Sequence, residues 1–175
     1  MNYWIFQSNP CRFPIIQELE NTFSDELPTT YKQVSYWHIP RIPSEMKSGD
    51  TVFIWKSTGE ERDSRGIYAK ATILSVSPFH KDPLTPEKID KVLKERSLLV
   101  DWIHPEQEKH KESWPTVIVK YRKLLLDKPL LAHATEDDPR LRSLPILRSW
   151  RRTLYSVNYD QGTIIERMTD CESIG

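Results

Sequence analysis

The run Gly66–Val76 constrains this chain more than any other stretch. Ile67, Ala69, Ala71 and Ile73 alternate with Tyr68, Lys70, Thr72 and Leu74, which is the period of a strand with two distinct faces. The run Thr51-Val52-Phe53-Ile54-Trp55, entered through the turn residues Lys47-Ser48-Gly49-Asp50, is the natural neighbour. The polar stretch 56–65 between them reads as a long hairpin loop.

Further elements follow from the same patterning. Residues 3–6 form a short strand ended by Ser8-Asn9-Pro10, and residues 33–39 form another around Val34, Tyr36 and Trp37. Ile15, Leu19 and Phe23 recur at helical spacing, with Pro14 expected in the first turn. Thr85-Pro86-Glu87 reads as a second helix start, Thr85 being the cap. Alternation predicts strands over 98–102 and 117–126, flanking a polar excursion at 104–113. A closing strand at 153–157 and a helical turn or two at 163–168 complete the reading. The expected architecture is α+β: a curved, mostly antiparallel sheet closed as a small β-barrel with flanking helices, in a single domain over 1–175. At this length a chain buries roughly two-thirds of its unfolded surface, so one core is expected to suffice.

Composition narrows the function. The 25 basic and 25 acidic residues cancel, which excludes a general basic coat for nucleic acid but leaves room for a local basic face. Two cysteines and five scattered histidines make no zinc set or disulfide framework, so no metal is expected. The residues 1–7 carry no basic flank and too short an apolar run for a signal peptide or membrane span, so no membrane partner is expected and the location is read as cytoplasmic. No G-x-S-x-G, P-loop or G-x-G-x-x-G is present, and no catalytic residue or cofactor is assigned. Cys11 beside Arg12 is either an activated thiol or, as a lone cysteine, a small buried apolar group.

Tryptophan occurs six times, more than a domain of this size usually carries. Trp4, Trp102 and Trp114 are read as core. Trp37 lies on an extended segment, and Trp55 ends its strand beside Lys56 and Ser57. With Ser8 and Asn9 at the end of the first strand, these residues are expected to meet at a barrel rim as an aromatic pocket edged by amide and hydroxyl groups. A planar heterocycle suits such a pocket, and a flipped nucleobase is the natural ligand. Residues 140–152 hold five arginines and no acid, so Arg148, Arg151 and Arg152, with Lys56, are the candidates for phosphate contact.

Tyr3-Trp4-Ile5-Phe6-Gln7-Ser8-Asn9-Pro10, Trp37-His38-Ile39, residues 49–57 and Gly66-Ile67-Tyr68-Ala69 resemble, in order, the successive signatures of EVE domains. Leu144-Pro145-Ile146-Leu147-Arg148 is a weaker late echo. The resemblance implies a PUA-like fold related to YTH and ASCH domains. It also implies a binding module without catalysis, whose aromatic pocket takes a modified base from DNA or RNA, such as 5-methylcytosine or hydroxymethylcytosine. Members stand alone or are joined to nuclease or McrB-like GTPase modules in modification-dependent restriction. Ser8, Asn9, Trp37, Trp55, Lys56 and Ser57 fall on the family's pocket-forming segments. The loop 58–65 is longer and more charged than the family's common short version, which suggests a wedge in which Arg62 or Arg65 fills the gap left by an extruded base.

The expectation is therefore a non-catalytic reader of modified DNA or RNA, with Trp37 and Trp55 enclosing the base, Ser8, Asn9 and Ser57 on its edge, and Lys56 with the arginines on phosphates. The rivals are a small enzyme acting on a nucleotide or related heterocycle through Cys11 or a histidine, and a protein-interaction domain with a tryptophan-lined peptide groove.

Overall fold

The computed structural model describes residues 1–23, 33–58, 62–76, 115–149 and 152–170. Their element order is β1 (Tyr3–Ser8), α1 (Ile15–Thr22), β2 (Val34–His38), β3 (Thr51–Lys56), a 3-10 turn (Arg62–Ser64), β4 (Gly66–Val76), β5 (Thr116–Leu124), β6 (Leu130–Leu131), α2 (Ala132–Asp137), α3 (Pro145–Arg148), β7 (Leu154–Val157) and α4 (Tyr159–Asp170). The helix expected from Thr85, the strand at 98–102 and the excursion at 104–113 lie outside the described residues, as do Trp102, Trp114 and Arg151. Pro14 stands at the cap position of α1, one residue ahead of the first turn.

The strands form one sheet in the order β2-β5-β4-β3-β1-β7, with β6 added to β4. β1 and β3 run parallel, from Tyr3 opposite Thr51 to Ser8 opposite Lys56, and the other pairings are antiparallel. The long β4 lies between β3, its expected hairpin partner, and β5. Its register shifts once against β3 and twice against β5. Extra residues of this kind bend a strand and sharpen its twist, so the sheet curls.

The expected closure into a barrel is not formed: among the described residues β2 bonds only β5 and β7 bonds only β1. The reason is legible in β1, whose alternate residues enter two different cores. Trp4 and Phe6 join Val52, Ile54, Ala71, Ile73, Val117 and Val119 in a first core with Ile15 and Leu19 of α1. Tyr3 and Ile5 join Phe53, Trp55 and Ile67 in a second, covered by Leu141, Leu144, Ile146 and Ile165. A closed small barrel fills one interior and offers its other face to solvent or helices. Here both faces are apolar, and α2, α3 and α4 seal the second, so two large cores, with a small cluster of Val34 and Ile118 besides, replace the expected one.

Two local devices hold this arrangement. Asp50, fully buried, accepts hydrogen bonds from Asn2 N (2.8 Å), Trp4 Nε1 (3.0 Å), Lys47 N (3.1 Å) and Asn2 Nδ2 (3.3 Å). Burial alone would raise its pKa, but the donors from Asn2, Trp4 and Lys47 outweigh it and hold the carboxyl below the usual range. Trp4 is thus core, as expected, and also a donor. The second device is at α4, where Asn158 Oδ1 accepts from Gln161 N (2.9 Å) and caps the helix, which therefore starts before the expected 163. A Cβ on Gly162 would lie 2.1 Å from Tyr3 Cγ, so glycine is what lets α4 approach β1 this closely.

Candidate functional site

The parallel pairing of β1 and β3 brings both strand ends to one edge of the sheet. Ser8 lies opposite Lys56, and Ser57 N donates to the Ser8 carbonyl at 2.9 Å. On the other side of β1, Phe6 faces Leu154 and Gln7 N donates to the Thr153 carbonyl at 2.8 Å, so Arg152, the residue before Thr153, enters the chain at this edge. The Tyr155 hydroxyl donates to the Ser149 carbonyl and accepts from Arg152 N, tying the end of α3 to the same edge. Ser8, Asn9, Lys56, Ser57 and Arg152 are therefore brought together, with the exposed Arg148 on α3 nearby in the chain.

Ser8 and Ser57 are buried, whereas Asn9 is half-buried and organises a turn. Asn9 Oδ1 accepts from Cys11 N at 3.0 Å, and its carbonyl accepts from Arg12 N and Phe13 N at 2.9 and 3.0 Å. Cys11 itself is exposed, which removes the reading of it as a small buried apolar group. Lys56 is half-buried, its Nζ 2.5 Å from Ser64 Oγ, 3.5 Å from the Ser64 carbonyl and 5.3 Å from the centre of the Tyr68 ring. Tyr68 in turn donates to the Ser64 carbonyl at 2.6 Å. Among the described residues no carboxylate lies within ion-pair distance of Lys56.

Tyr68 corrects the alternation. Ile54 pairs with Ala69 and Trp55 with Ile67, so Tyr68 is an extra residue on β4. The bulge turns its ring to the first core together with Ala69, Ala71 and Ile73, while Ile67 joins the second. Strict period two had put Tyr68 and Ala69 on opposite faces.

The two indoles do not face each other. Trp37 is half-buried against the first core, its ring 5.4 Å from that of Phe6 and inclined by 56°, with Nε1 donating to the Tyr121 hydroxyl at 3.3 Å. Trp55 is 3% exposed in the second core, on the other side of the sheet. The expected slot between Trp37 and Trp55 is not formed. Trp55 does end its strand beside Lys56, but its face of β3 is the one that the C-terminal helices cover.

Of the arginine run, Arg140 is bound to Asp138 through Nε (3.0 Å) and Nη2 (2.6 Å), and Arg142 Nε donates to the Glu136 carbonyl at 3.0 Å. Hydrogen bonds from Arg140 hold the Asp138 carboxyl down to about 2. Arg148 and Arg152 are exposed, and among the described residues neither has a carboxylate at ion-pair distance. Arg65 is paired with Glu136 of α2, which ties down one of the two expected wedge residues. The side chain of Arg62 lies outside the described residues.

Sequence reasoning missed Tyr68 and Ser64 as the seat of Lys56, Tyr121 as the partner of the Trp37 indole, and the place of Arg152 next to the Gln7–Thr153 bond. Only Arg152 had a readable signal, since the run 153–157 was expected to pair. Among the described residues no group of three or more His, Cys, Asp or Glu could hold a metal, and no helix is long and apolar enough to cross a membrane.

Solved structures share this fold. A hypothetical protein from Leishmania major superposes with a TM-score of 0.61 at 19% identity, covering 97% of this chain and 95% of its own. PSPTO5229 from Pseudomonas syringae gives 0.58 at 18%, covering 95% and 99%. Human THYN1, solved in complex with DNA containing 5-methylcytosine, gives 0.59 at 14%, covering 98% and 99%. Among curated proteins no match is found. The sequence pattern of the EVE domain runs through residues 2–168, nearly the whole length, and the chain belongs to that family.

Proposed function

We propose that this chain is a non-catalytic nucleic-acid-binding module that reads a modified base of the 5-methylcytosine or 5-hydroxymethylcytosine type by drawing it out of the stack. The observation that carries the reading is the single sheet edge at which Ser8, Asn9, Lys56, Ser57 and Arg152 gather, beside the first core that holds Phe6, Trp37 and Tyr68. The human relative solved with 5-methylcytosine DNA supports the ligand class. In this reading Trp37 offers one aromatic wall, Ser8, Asn9 and Ser57 meet the base edge, and Arg148 and Arg152 meet phosphates. Trp55, sealed in the second core, has no contact role. A buried methyl contributes about 0.8 kcal/mol, so the preference of 5-methylcytosine over cytosine is a modest one. The module would serve as the specificity domain of a modification-dependent restriction system, working in the cytoplasm with a fused or associated nuclease or GTPase.

A tryptophan-fluorescence titration at fixed salt tests this, using DNA and RNA oligonucleotides that differ at one base. Tighter binding of an oligonucleotide carrying the modified base is the expected result. Equal affinity for all, or no binding, overturns it, and turnover of a nucleoside that is abolished by Cys11→Ala would favour an enzyme.

A further inference from the structure

Resting on that reading, we propose that the site recognises its base by the acceptor edge, with Lys56 and Asn9 as specificity-determining donors and Ser64 and Tyr68 as the residues that position Lys56. Asn9 Oδ1 receives the Cys11 N–H, which only an oxygen can accept, and this bond fixes the orientation of the amide. The Nδ2 group so oriented only donates. Lys56 likewise only donates, and its ammonium is pinned between the Ser64 hydroxyl and carbonyl over the Tyr68 ring.

This seat is a poor one for a phosphate clamp. A phosphate contact sits at a solvated rim, where Arg148 and Arg152 already stand exposed. A half-buried ammonium held by neutral oxygens, with no carboxylate at ion-pair distance among the described residues, favours a ligand acceptor that reaches in to it. Asn9 follows Ser8, whose register partner is Lys56, so two donors issue from one strand end, and they fit a heterocycle edge with two adjacent acceptors such as the ring nitrogen and carbonyl of a cytosine. Thymine carries the same 5-methyl group but has an N–H at that ring position, which would leave a donor facing a donor. The base is thus sorted by its ring edge as well as by its methyl group.

The test measures affinity for oligonucleotides carrying 5-methylcytosine, cytosine or thymine at one position, in single strands and opposite an abasic site so that base pairing does not differ. The expected result is that 5-methylcytosine binds tighter than thymine by roughly tenfold or more. Lys56→Met should collapse that ratio without changing the salt dependence, whereas Arg152→Ala should keep the ratio and lower the salt slope by about one. Asn9→Asp keeps the acceptor for Cys11 N and replaces the outward amide with an oxygen. It should therefore erase or reverse the preference, and it carries the test should Lys56→Met fail to fold. Equal affinity for 5-methylcytosine and thymine, both above cytosine, overturns the acceptor-edge inference while leaving the modified-base reading intact. So does a Lys56→Met variant that lowers the salt slope with the ratio preserved. Binding to none of these oligonucleotides overturns both.

Discussion

The two faces of the sheet are built from the same strands and have opposite fates. β1 and β3 send alternate residues to each side, yet the second core is sealed by α2, α3 and α4, while the first keeps half-exposed aromatic residues such as Trp37 at its margin. Trp37-His38 and Trp55-Lys56 look alike in the chain, each an indole at or near the end of a strand followed by a polar group. One indole remains half-accessible, and the other is filler. What separates them is the cover laid over each face by segments distant in sequence, so a tryptophan's neighbours in the chain say little about its availability.

The sharpest way to break the comparison is to truncate each indole. Trp55→Ala should cost about 3–5 kcal/mol of stability in urea denaturation, with ligand affinity of the folded protein preserved. Next in size is Asp50→Ala, which strands the Trp4 Nε1–H and its neighbours beneath both faces and should cost about 3 kcal/mol. The carboxylate also sets an acid limit. Its folded pKa is depressed, so its stabilisation is whole above the unfolded value of about 3.9 and is lost as pH falls through the folded value. Asp50→Asn should flatten that acid limb of stability, and an unchanged limb would remove Asp50 as its cause.

Gly162→Ala tests how tightly the second face is closed, and should cost about 1–3 kcal/mol by pushing α4 off the Tyr3 ring. Trp37→Ala is expected to leave the fold largely intact and to weaken oligonucleotide binding by about 1–3 kcal/mol. A loss of stability as large as that of Trp55→Ala, with binding untouched, would make the two faces equivalent. At the small end, Arg140→Ala removes an exposed pair with Asp138 and should leave both melting temperature and affinity unchanged.

The parts of the molecule legible in the sequence are those where a single periodicity holds. β1, β3, β5 and α1 emerge from alternation or helical spacing because one or both faces are consistently buried. β4 was found as a strand, but its bulge moved Tyr68 across the sheet, and an inserted residue leaves no mark on composition. α2 and α3, at six and four residues, are too short to show a helical period, so the cover over Trp55 was invisible and the sheet looked free to close. The candidate edge was legible where it depends on strand ends, as with Ser8, Asn9, Lys56 and Ser57. The seat of Lys56 was not, because it depends on where the 3-10 turn places Ser64.

The parallel pairing of β1 with β3 has a consequence for how such a protein could be re-engineered. The segment 58–65 hangs between two clamps: Ser57 is bonded to Ser8 at one end, and at the other Ala132 N donates to the Arg65 carbonyl at 2.9 Å while Gly66 lies against Leu131. The two clamps and Ser64, which seats Lys56, are what any exchange must keep, so a graft is confined to the residues between Ser57 and Ser64. Its length and charge are open to exchange between relatives, retuning the flank of the ligand without disturbing the strands that hold Asn9 and Lys56 in place.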